Sequence, residues 1–203
     1  PADIAAPVAV AIMAADPGLP RATGLPDNHF LHDGQLTKRP VRALTLSALA
    51  PRAGEVLWDI GAGSGSIGIE WLLAGGGQVE AVEADATRLD RARVNVESFG
   101  LSHRHRLHAA RAPDGLADLP TPDAVFIGGG ASDALLSRLW AIVPPGTRLV
   151  MNAVTLETEA LVLAWHARHG GNLLKIDLAE PAAIGSRQGW KSALPILQWS
   201  VTR

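Results

Sequence analysis

The sequence DIGAGSGSIG at residues 59–68 is the stretch that decides the fold. It follows an apolar run at residues 55–60 that predicts a buried strand, and a helical pattern begins near Ser66. Glycine at every second position permits positive φ angles and lets a ligand approach the backbone closely. The N–H groups that open the following helix have no partner within the helix and can face that ligand. The stretch therefore predicts a strand, a ligand-binding loop and a helix in succession.

Strand and helix patterns alternate along the rest of the chain. Six further strands are predicted at residues 78–83, 104–109, 123–127, 147–153, 172–178 and 194–201. Helices are predicted at residues 41–49, 66–74, 86–99, 132–143 and 156–169. The alternation predicts an α/β fold, a doubly wound and mostly parallel sheet with helices on both faces. One domain is predicted at residues 24–203, preceded by an Ala- and Pro-rich linker or flexible segment at residues 1–23.

The composition excludes several kinds of site. The 203 residues include no Cys, which removes disulfides, thiolate nucleophiles and Cys-based metal sites. A formal net charge of −2 argues against general nucleic-acid binding. His29 and His32 are a weak metal signal, so no metal is expected. The apolar residues 4–15 are fewer than the roughly 20 that span a bilayer and lack a basic n-region, so we expect a cytoplasmic protein without a membrane segment.

Two kinds of ligand are compatible with the glycine pattern. Gly63, Gly65 and Gly68 satisfy the dinucleotide fingerprint G-x-G-x-x-G, which would place a pyrophosphate on the loop. Asp59 lies two residues before Gly61, the first glycine of the loop. Its carboxylate would repel a pyrophosphate and favours a sulfonium or amino-acid ligand. Glu83 ends the second predicted strand, where it can accept the hydroxyls of a ribose. The absence of Tyr and Cys further disfavours hydride transfer, because the two commonest catalytic groups for it, a phenol acid and a thiol or zinc site, are missing.

This pattern resembles the class I S-adenosylmethionine-dependent methyltransferases: an acid, Asp59, is followed by a G-x-G-x-G loop and then by a second acid, Glu83. The resemblance covers about residues 38–203. It implies a seven-stranded Rossmann-like sheet whose last strand is antiparallel, and S-adenosylmethionine as co-substrate.

Five motifs, in order, narrow the resemblance to the decarboxylating precorrin methyltransferases of cobalamin biosynthesis. These are GLPD at 24–27, TKR at 37–39, WDIGAGSGS at 58–66, FIGG at 126–129 and NAVTLE at 152–157. The family includes the C-terminal halves of precorrin-6Y C(5,15)-methyltransferases and stand-alone cobalt-precorrin-6B C(15)-methyltransferases. The resemblance implies methylation of a precorrin tetrapyrrole at carbon 15, with decarboxylation of the acetate side chain of ring C.

The resemblance also implies where the methyl donor binds. The glycines would hold the donor, Glu83 its ribose and the backbone near Ala112 its adenine, while Thr37 lies in a segment that covers it. Related sequences often have Asp where this one has Arg111, so the contact to the adenine amino group would come from the backbone instead. The implied donor-binding residues are Thr37, Gly61, Ala62, Gly63, Ser64, Gly65, Glu83, Arg111 and Ala112.

The acceptor would lie beyond the ends of the fourth and fifth strands. The Gly128-Gly129-Gly130 turn there supplies space and N–H groups but no general base, which suits an acceptor that is itself nucleophilic. The NAVTLE motif provides the candidate catalytic residues Asn152, Thr155 and Glu157, although Glu157 also suits the first turn of a helix. The substrate carries carboxylates, which cationic side chains can bind, and a flat ring, on which an aromatic side chain can stack. The substrate-binding candidates are Lys38, Arg39, Gly128, Gly129, Arg187, Trp190 and Lys191.

Partners and alternatives follow from the same reasoning. The resemblance implies a fused or associated C(5)-methyltransferase domain, and a homo-oligomer is expected. An RNA methyltransferase or a non-catalytic S-adenosylmethionine-binding module would use the same donor fold, and both stay open. We further expect Trp58, Trp71, Trp140 and Trp165 in the core. By contrast, His103, His105 and His108 are expected to face solvent.

Overall fold

A computed structural model describes Met13 and residues 18–20, 22–116 and 118–203. The strands are β1 (Val56–Ile60), β2 (Gln78–Glu83), β3 (His105–Ala109), β4 (Ala124–Ile127), β5 (Arg148–Ala153), β6 (Asn172–Ile176), β7 (Ala179–Ile184), β8 (Arg187–Ser192) and β9 (Ile196–Thr202). The helices are α1 (Arg39–Leu49), α2 (Ser66–Leu73), α3 (Ala86–Ser98), α4 (Asp133–Ile142) and α5 (Leu156–His169). Most of the predicted linker at residues 1–23 lies outside the described residues.

The central sheet has seven strands in the order β3-β2-β1-β4-β5-β9-β6. Strands β1 to β5 pair in parallel, whereas β9 runs antiparallel to both of its neighbours. The predicted doubly wound sheet with an antiparallel last strand is therefore confirmed. Since β6 runs in the same direction as β1 to β5, its carboxyl end lies at the same edge of the sheet as theirs.

Helices cover both faces of the sheet because its central strands are apolar on both sides. On one face, Leu57 packs with Leu46 of α1 and Trp71 of α2. On the other face, Trp58 packs with Leu139 of α4 in the cluster that also includes buried residues of α5. Strand β4 is buried along its whole length, as is typical of a central parallel strand. With both faces covered, a ligand can approach the parallel strands only at their ends, and in such sheets it binds at the carboxyl ends.

The structure adds two strands between the predicted strands at residues 172–178 and 194–201, where the sequence predicts no helix or strand. Strands β7 and β8 form an antiparallel hairpin that pairs only with itself and turns at Gly185, whose φ is +57°. Most of its residues are exposed, so neither face shows the apolar alternation from which strands are predicted. The hairpin connects β6 to β9 and therefore leaves the sheet at the carboxyl edge of the parallel strands.

The tryptophan prediction holds for three side chains, since Trp58, Trp71 and Trp165 are buried, while Trp140 is only partly buried against the same core. In the part of the chain that the structure describes, no helix has the length and apolar character needed to cross a membrane.

Candidate functional site

A cleft of about 630 Å³ opens at the carboxyl ends of β1, β2 and β4. Crevices at this edge of doubly wound sheets are where ligands bind. The cleft brings together six predicted residues that are widely separated in the sequence: Gly61, Glu83, Arg111, Ala112, Gly128 and Gly129. Gly130, the last residue of the predicted glycine turn, lines the cleft too. So do residues that the sequence did not single out: Ile60, Val82, Ala84, Asp85, Arg88, Ala110 and Ser132.

The glycine loop, residues 61–65, is held by the ends of two neighbouring strands. The N–H groups of Gly61 and Ala62 donate to the Val82 carbonyl at 2.8 and 3.2 Å. A Cβ on Gly61 would lie 2.7 Å from the backbone nitrogen of Gly129, and the φ of Gly61 is +71°. Only glycine satisfies both conditions. The glycine turns after β1 and β4 are thus packed against each other, which adds a structural role to the one predicted from the sequence.

Glu83 connects the end of β2 to the glycine loop. Its Oε2 atom accepts a hydrogen bond from the Gly63 N–H at 2.9 Å, and Oε1 accepts one from the Asp85 N–H, also at 2.9 Å. Each carboxylate oxygen keeps a further lone pair, so Glu83 can accept hydroxyl groups from a ligand in the cleft as well. The predicted contact with a ribose is compatible with this geometry.

Asp59 is buried instead of lying in the cleft, with a relative exposure of 1%. Its Oδ2 accepts from the Gly68 N–H at 3.2 Å, and Oδ1 has no hydrogen-bond partner among the described residues. Burial raises the pKa of Asp59 to about 7, and the charge of Glu83 adds to the rise. A buried carboxyl oxygen without a partner fits a ligand with a cationic group, as the sequence argument also favours.

The packing of α2 on β3 explains Gly68 and overturns one prediction. A Cβ on Gly68 would lie 2.4 Å from Nε2 of His105, so the close approach requires glycine. His105 is buried with 3% exposure, whereas we expected it to face solvent; His103 is exposed and His108 is half-buried. The third glycine of the dinucleotide fingerprint has this same packing role, so Gly68 does not distinguish the two ligand classes.

Replacing His105 by Leu is expected to make the protein more resistant to acid. Burial lowers the pKa of His105 to about 4, so the folded state keeps the ring neutral while the unfolded chain protonates it near pH 6.5. The wild type therefore loses stability as the pH falls from about 6.5 to about 4, by about 2 to 3 kcal/mol from this residue. Urea unfolding at pH 7 and pH 4.5 should show a smaller loss for the variant.

The comparison between the two proteins isolates His105. The raised pKa of Asp59 makes stability fall as the pH rises from about 4 to about 7, which is the opposite direction. Because both proteins contain Asp59, its effect cancels in the difference. Equal acid sensitivity of wild type and variant would contradict the assignment.

A segment that we call the strap, residues 24–37, is anchored to α1 and α2 by a buried ion pair. Arg42 is fully buried, and its Nε lies 2.5 Å from Oε1 of Glu70, which is also buried. Arg42 further donates to the carbonyls of Leu25 and Thr37 and pairs with Asp27 at 3.0 Å. Glu70 accepts the N–H groups of Gly24, at 2.5 Å, and Leu25, at 3.0 Å. This cluster explains the GLPD motif, whose backbone and Asp are the groups bound.

The strap continues from this anchor to the glycine loop and α3. Asp33 pairs with Arg91 at 2.7 Å and with Arg88 at 3.3 Å. Gly63 and Ser64 line a narrow groove beside these strap residues. Arg88 lines both that groove and the main cleft, which the sequence did not indicate. Of the other predicted donor residues, three line neither space: Thr37, Ala62 and Gly65.

The NAVTLE motif at the end of β5 has strong structural roles. The Asn152 amide donates to the Thr45 hydroxyl at 2.9 Å and accepts from Gln198 at 2.9 Å, which joins β5, β9 and α1. Thr155 caps α5 in a capping box with Thr158. Hydrogen bonds from the Glu157 backbone N–H and from the Thr155 side chain lower the pKa of the exposed Glu157 carboxyl. The catalytic assignment of Asn152, Thr155 and Glu157 stays a prediction, and the sequence did not indicate Thr45 or Gln198.

The predicted substrate cations lie outside the cleft. Lys38 and Arg39 are exposed where α1 begins. Arg187, Trp190 and Lys191 lie on β8, and the Trp190 side chain is 76% exposed. Among the described residues, no group of three or more His, Asp or Glu side chains is arranged to hold a metal ion.

Comparison with known proteins shows a specific relationship. The family model described as a precorrin methyltransferase domain matches residues 28–203. The chain is 52% identical over 196 residues to a Sinorhizobium sp. protein named precorrin-6Y C(5,15)-methyltransferase [decarboxylating]. That match covers 94% of this chain and 47% of the relative, so the chain spans about half the length of that relative.

A shorter relative and a solved structure agree with this relationship. The chain is 36% identical over 142 residues to a Saccharolobus solfataricus protein named probable cobalt-precorrin-6B C(15)-methyltransferase (decarboxylating), with 66% of this chain and 71% of that protein covered. The crystal structure of the C-terminal domain of precorrin-6Y C5,15-methyltransferase from Rhodobacter capsulatus superposes with a TM-score of 0.89 at 54% identity. That superposition covers 91% of this chain and 100% of the other.

Proposed function

The chain belongs to the precorrin methyltransferase domain family, and from this premise we propose that it transfers a methyl group from S-adenosylmethionine to carbon 15 of a precorrin tetrapyrrole. We further propose that the same site removes carbon dioxide from the ring C acetate side chain. The observation that carries the proposal is the match of residues 28–203 to the family model, combined with a cleft at the carboxyl edge of the class I methyltransferase sheet.

The donor is the better supported of the two substrates. Methyltransferases of this fold use S-adenosylmethionine, and the cleft is lined by Gly61 of the glycine loop and by Glu83. Glu83 would accept the ribose hydroxyls, and the backbone of Arg111 and Ala112 would bind the adenine. The unpartnered oxygen of Asp59 would balance a cationic group of the donor. Asp59 also disfavours the dinucleotide alternative, because a carboxylate directly before the glycine loop would repel a pyrophosphate there.

The acceptor chemistry needs alignment more than proton transfer at the end of β4. The Gly128-Gly129-Gly130 turn offers no titratable side chain, so a meso carbon of the reduced tetrapyrrole would attack the donor methyl with its own electrons. The methyl–sulfur bond would break as the carbon–carbon bond forms, and S-adenosylhomocysteine would leave. Alignment of two reactants in one site accounts for about 7 to 11 kcal/mol of barrier reduction in favourable cases. The bond to the acetate carboxylate would break with its electron pair delocalised into the macrocycle, which requires neither a metal nor a prosthetic group.

The remaining predicted residues would serve the acceptor. Gly128 and Gly129 would border the ring at the cleft. Asn152, Thr155 and Glu157 would lie next to the reacting side chain, since β5 ends beside β4. The cations would bind the substrate carboxylates and Trp190 would stack on the ring. These cations are Lys38, Arg39, Arg187 and Lys191.

The assembly is also part of the proposal. Because the chain spans 47% of its Sinorhizobium relative, a fused or associated C(5)-methyltransferase domain would supply the other methylation named for that protein. A homo-oligomer would cover Ile184 on the hairpin of β7 and β8, which is 66% exposed. The cytoplasmic location stays a prediction from the sequence.

Product mass tests the function directly. The protein should be incubated with S-adenosylmethionine and a precorrin-type tetrapyrrole, with and without a metal chelator. We expect a product that has gained a methyl group and lost carbon dioxide in both samples. A product that is methylated but never decarboxylated, or activity that is abolished by the chelator and restored by a divalent ion, would overturn the proposal.

The same preparation separates the alternatives. S-Adenosylhomocysteine, the tetrapyrrole and RNA are added in turn, and a rise in melting temperature reports binding. A rise with RNA but not with the tetrapyrrole would favour an RNA methyltransferase. A rise with S-adenosylhomocysteine alone would favour a non-catalytic module.

The variant Glu83→Gln is expected to bind S-adenosylhomocysteine more weakly by about 1 to 3 kcal/mol. The amide keeps the shape of the side chain but has one acceptor oxygen, whereas the wild-type carboxylate accepts from the loop and from the ribose. Titration calorimetry measures the difference. Asp90→Asn is the matched control, because it removes the same negative charge from a side chain on α3 that is 71% exposed. Equal affinity of Glu83→Gln and wild type would contradict the ribose assignment.

A further inference from the structure

Asn95 on α3 forms hydrogen bonds with both the strap and the glycine loop. Its Oδ1 accepts the Leu31 N–H at 2.7 Å, and its Nδ2 donates to the Leu31 carbonyl at 3.0 Å. The same Nδ2 donates to the carbonyl of Ser64 at 2.8 Å. The residue is 2% exposed, so water cannot substitute for these partners. One buried amide therefore satisfies backbone groups of Leu31 and Ser64, which are 33 positions apart in the sequence.

The neighbouring contacts make this amide the inner connection between the two segments. The buried Arg42–Glu70 pair fixes the start of the strap, and Asp33 fixes its outer side to Arg88 and Arg91. Both of those attachments bind the strap to helices and leave the glycine loop untouched. The Ser64 carbonyl belongs to the loop itself, and it is Asn95 that bridges this carbonyl and the strap backbone.

We propose that Asn95 is a positioning residue that couples the strap to the glycine loop, so that binding of the methyl donor orders both segments together. The inference rests on the proposed function, because it takes the loop to be the donor site. Asn95 does not line the cleft, so it acts through the segments that it holds and not by contact with the donor. Donor affinity then depends on the strap even where the strap does not touch the donor.

The variant Asn95→Asp tests the coupling with almost no change in side-chain volume. It keeps the acceptor for the Leu31 N–H but places an oxygen against the carbonyls of Leu31 and Ser64. Hydrogen exchange read by mass spectrometry should show exchange in residues 28–37 rising at least about tenfold, and affinity for S-adenosylhomocysteine should fall about tenfold. In the wild type, S-adenosylhomocysteine should slow exchange in the strap and in the loop; in the variant it should slow only the loop.

Ser98→Ala is the matched control, because it removes a 2.7 Å hydrogen bond to the Asn95 carbonyl on the same helix without touching the strap. It should behave like the wild type in both measurements. If Ser98→Ala reproduces the changes of Asn95→Asp, the effect comes from the helix and the proposal is wrong. Wild-type exchange and affinity in Asn95→Asp would overturn it as well.

The variant Asp33→Ala keeps the proposal testable if Asn95→Asp does not fold. Asp33 is 29% exposed, and its loss loosens the strap from outside. If Asn95 couples the segments, exchange should rise in the strap and also in residues 60–68; a rise in the strap alone would overturn the coupling. Should the wild type fail to bind S-adenosylhomocysteine, the proposed donor is wrong, while the ligand-free exchange of Asp33→Ala in residues 60–68 still decides the coupling.

Discussion

The variant Glu70→Gln is expected to lower the free energy of unfolding by about 3 to 5 kcal/mol, because it leaves the Arg42 guanidinium buried without its main counter-ion. Arg42 is fully buried and Glu70 is 2% exposed, so neither group is hydrated in the folded state. The amide also has a single acceptor for the Gly24 and Leu25 N–H groups that the carboxylate binds now. Urea unfolding at pH 7 measures the loss.

The surface pair of Arg52 and Glu55 provides the control. Its atoms are 3.6 Å apart and Arg52 is 68% exposed, so Arg52→Ala should cost less than about 1 kcal/mol. Limited proteolysis should in addition cleave the strap of Glu70→Gln faster than that of Arg52→Ala. Similar stabilities of the two variants would show that the buried pair does not anchor the strap.

The variant Gly61→Ala is expected to be destabilised by about 2 to 5 kcal/mol and to lose measurable donor binding. The added Cβ meets the Gly129 backbone at 2.7 to 2.9 Å, and backbone cannot move aside as a flexible side chain can. The positive φ of +71° adds about 1 to 2 kcal/mol of strain. Since the two glycine turns form one wall of the cleft, their separation deforms the donor site. Chemical unfolding and calorimetry with S-adenosylhomocysteine measure the two effects.

Gly63→Ala separates backbone strain from the clash. Gly63 has a φ of +57°, but a Cβ there would have nothing within 4 Å. It should therefore lose only about 1 to 2 kcal/mol of stability. If Gly61→Ala is no less stable than Gly63→Ala, the contact between the turns after β1 and β4 does not contribute.

The residues of the cleft could be predicted from the sequence because parallel strands end at a common edge. Gly61, Glu83 and Gly128 each follow directly on, or end, a predicted strand. Once the strands are aligned in parallel, these positions converge whatever the details of packing. The exposed hairpin could not be predicted in the same way, because a strand without a buried face has no apolar period.

The sequence by itself determined the strands of the central sheet and the helices between them, the ligand-binding loop and the family, since each depends on local patterns and motifs. Only the tertiary structure decided the surroundings of individual polar groups. Arg42 meets Glu70, 28 positions away, and His105 is buried against Gly68 on a neighbouring element. The physical reason is that burial and pairing depend on the residues that the fold brings across from each other. A period of two or 3.6 residues indicates which face a side chain occupies, but not what covers that face.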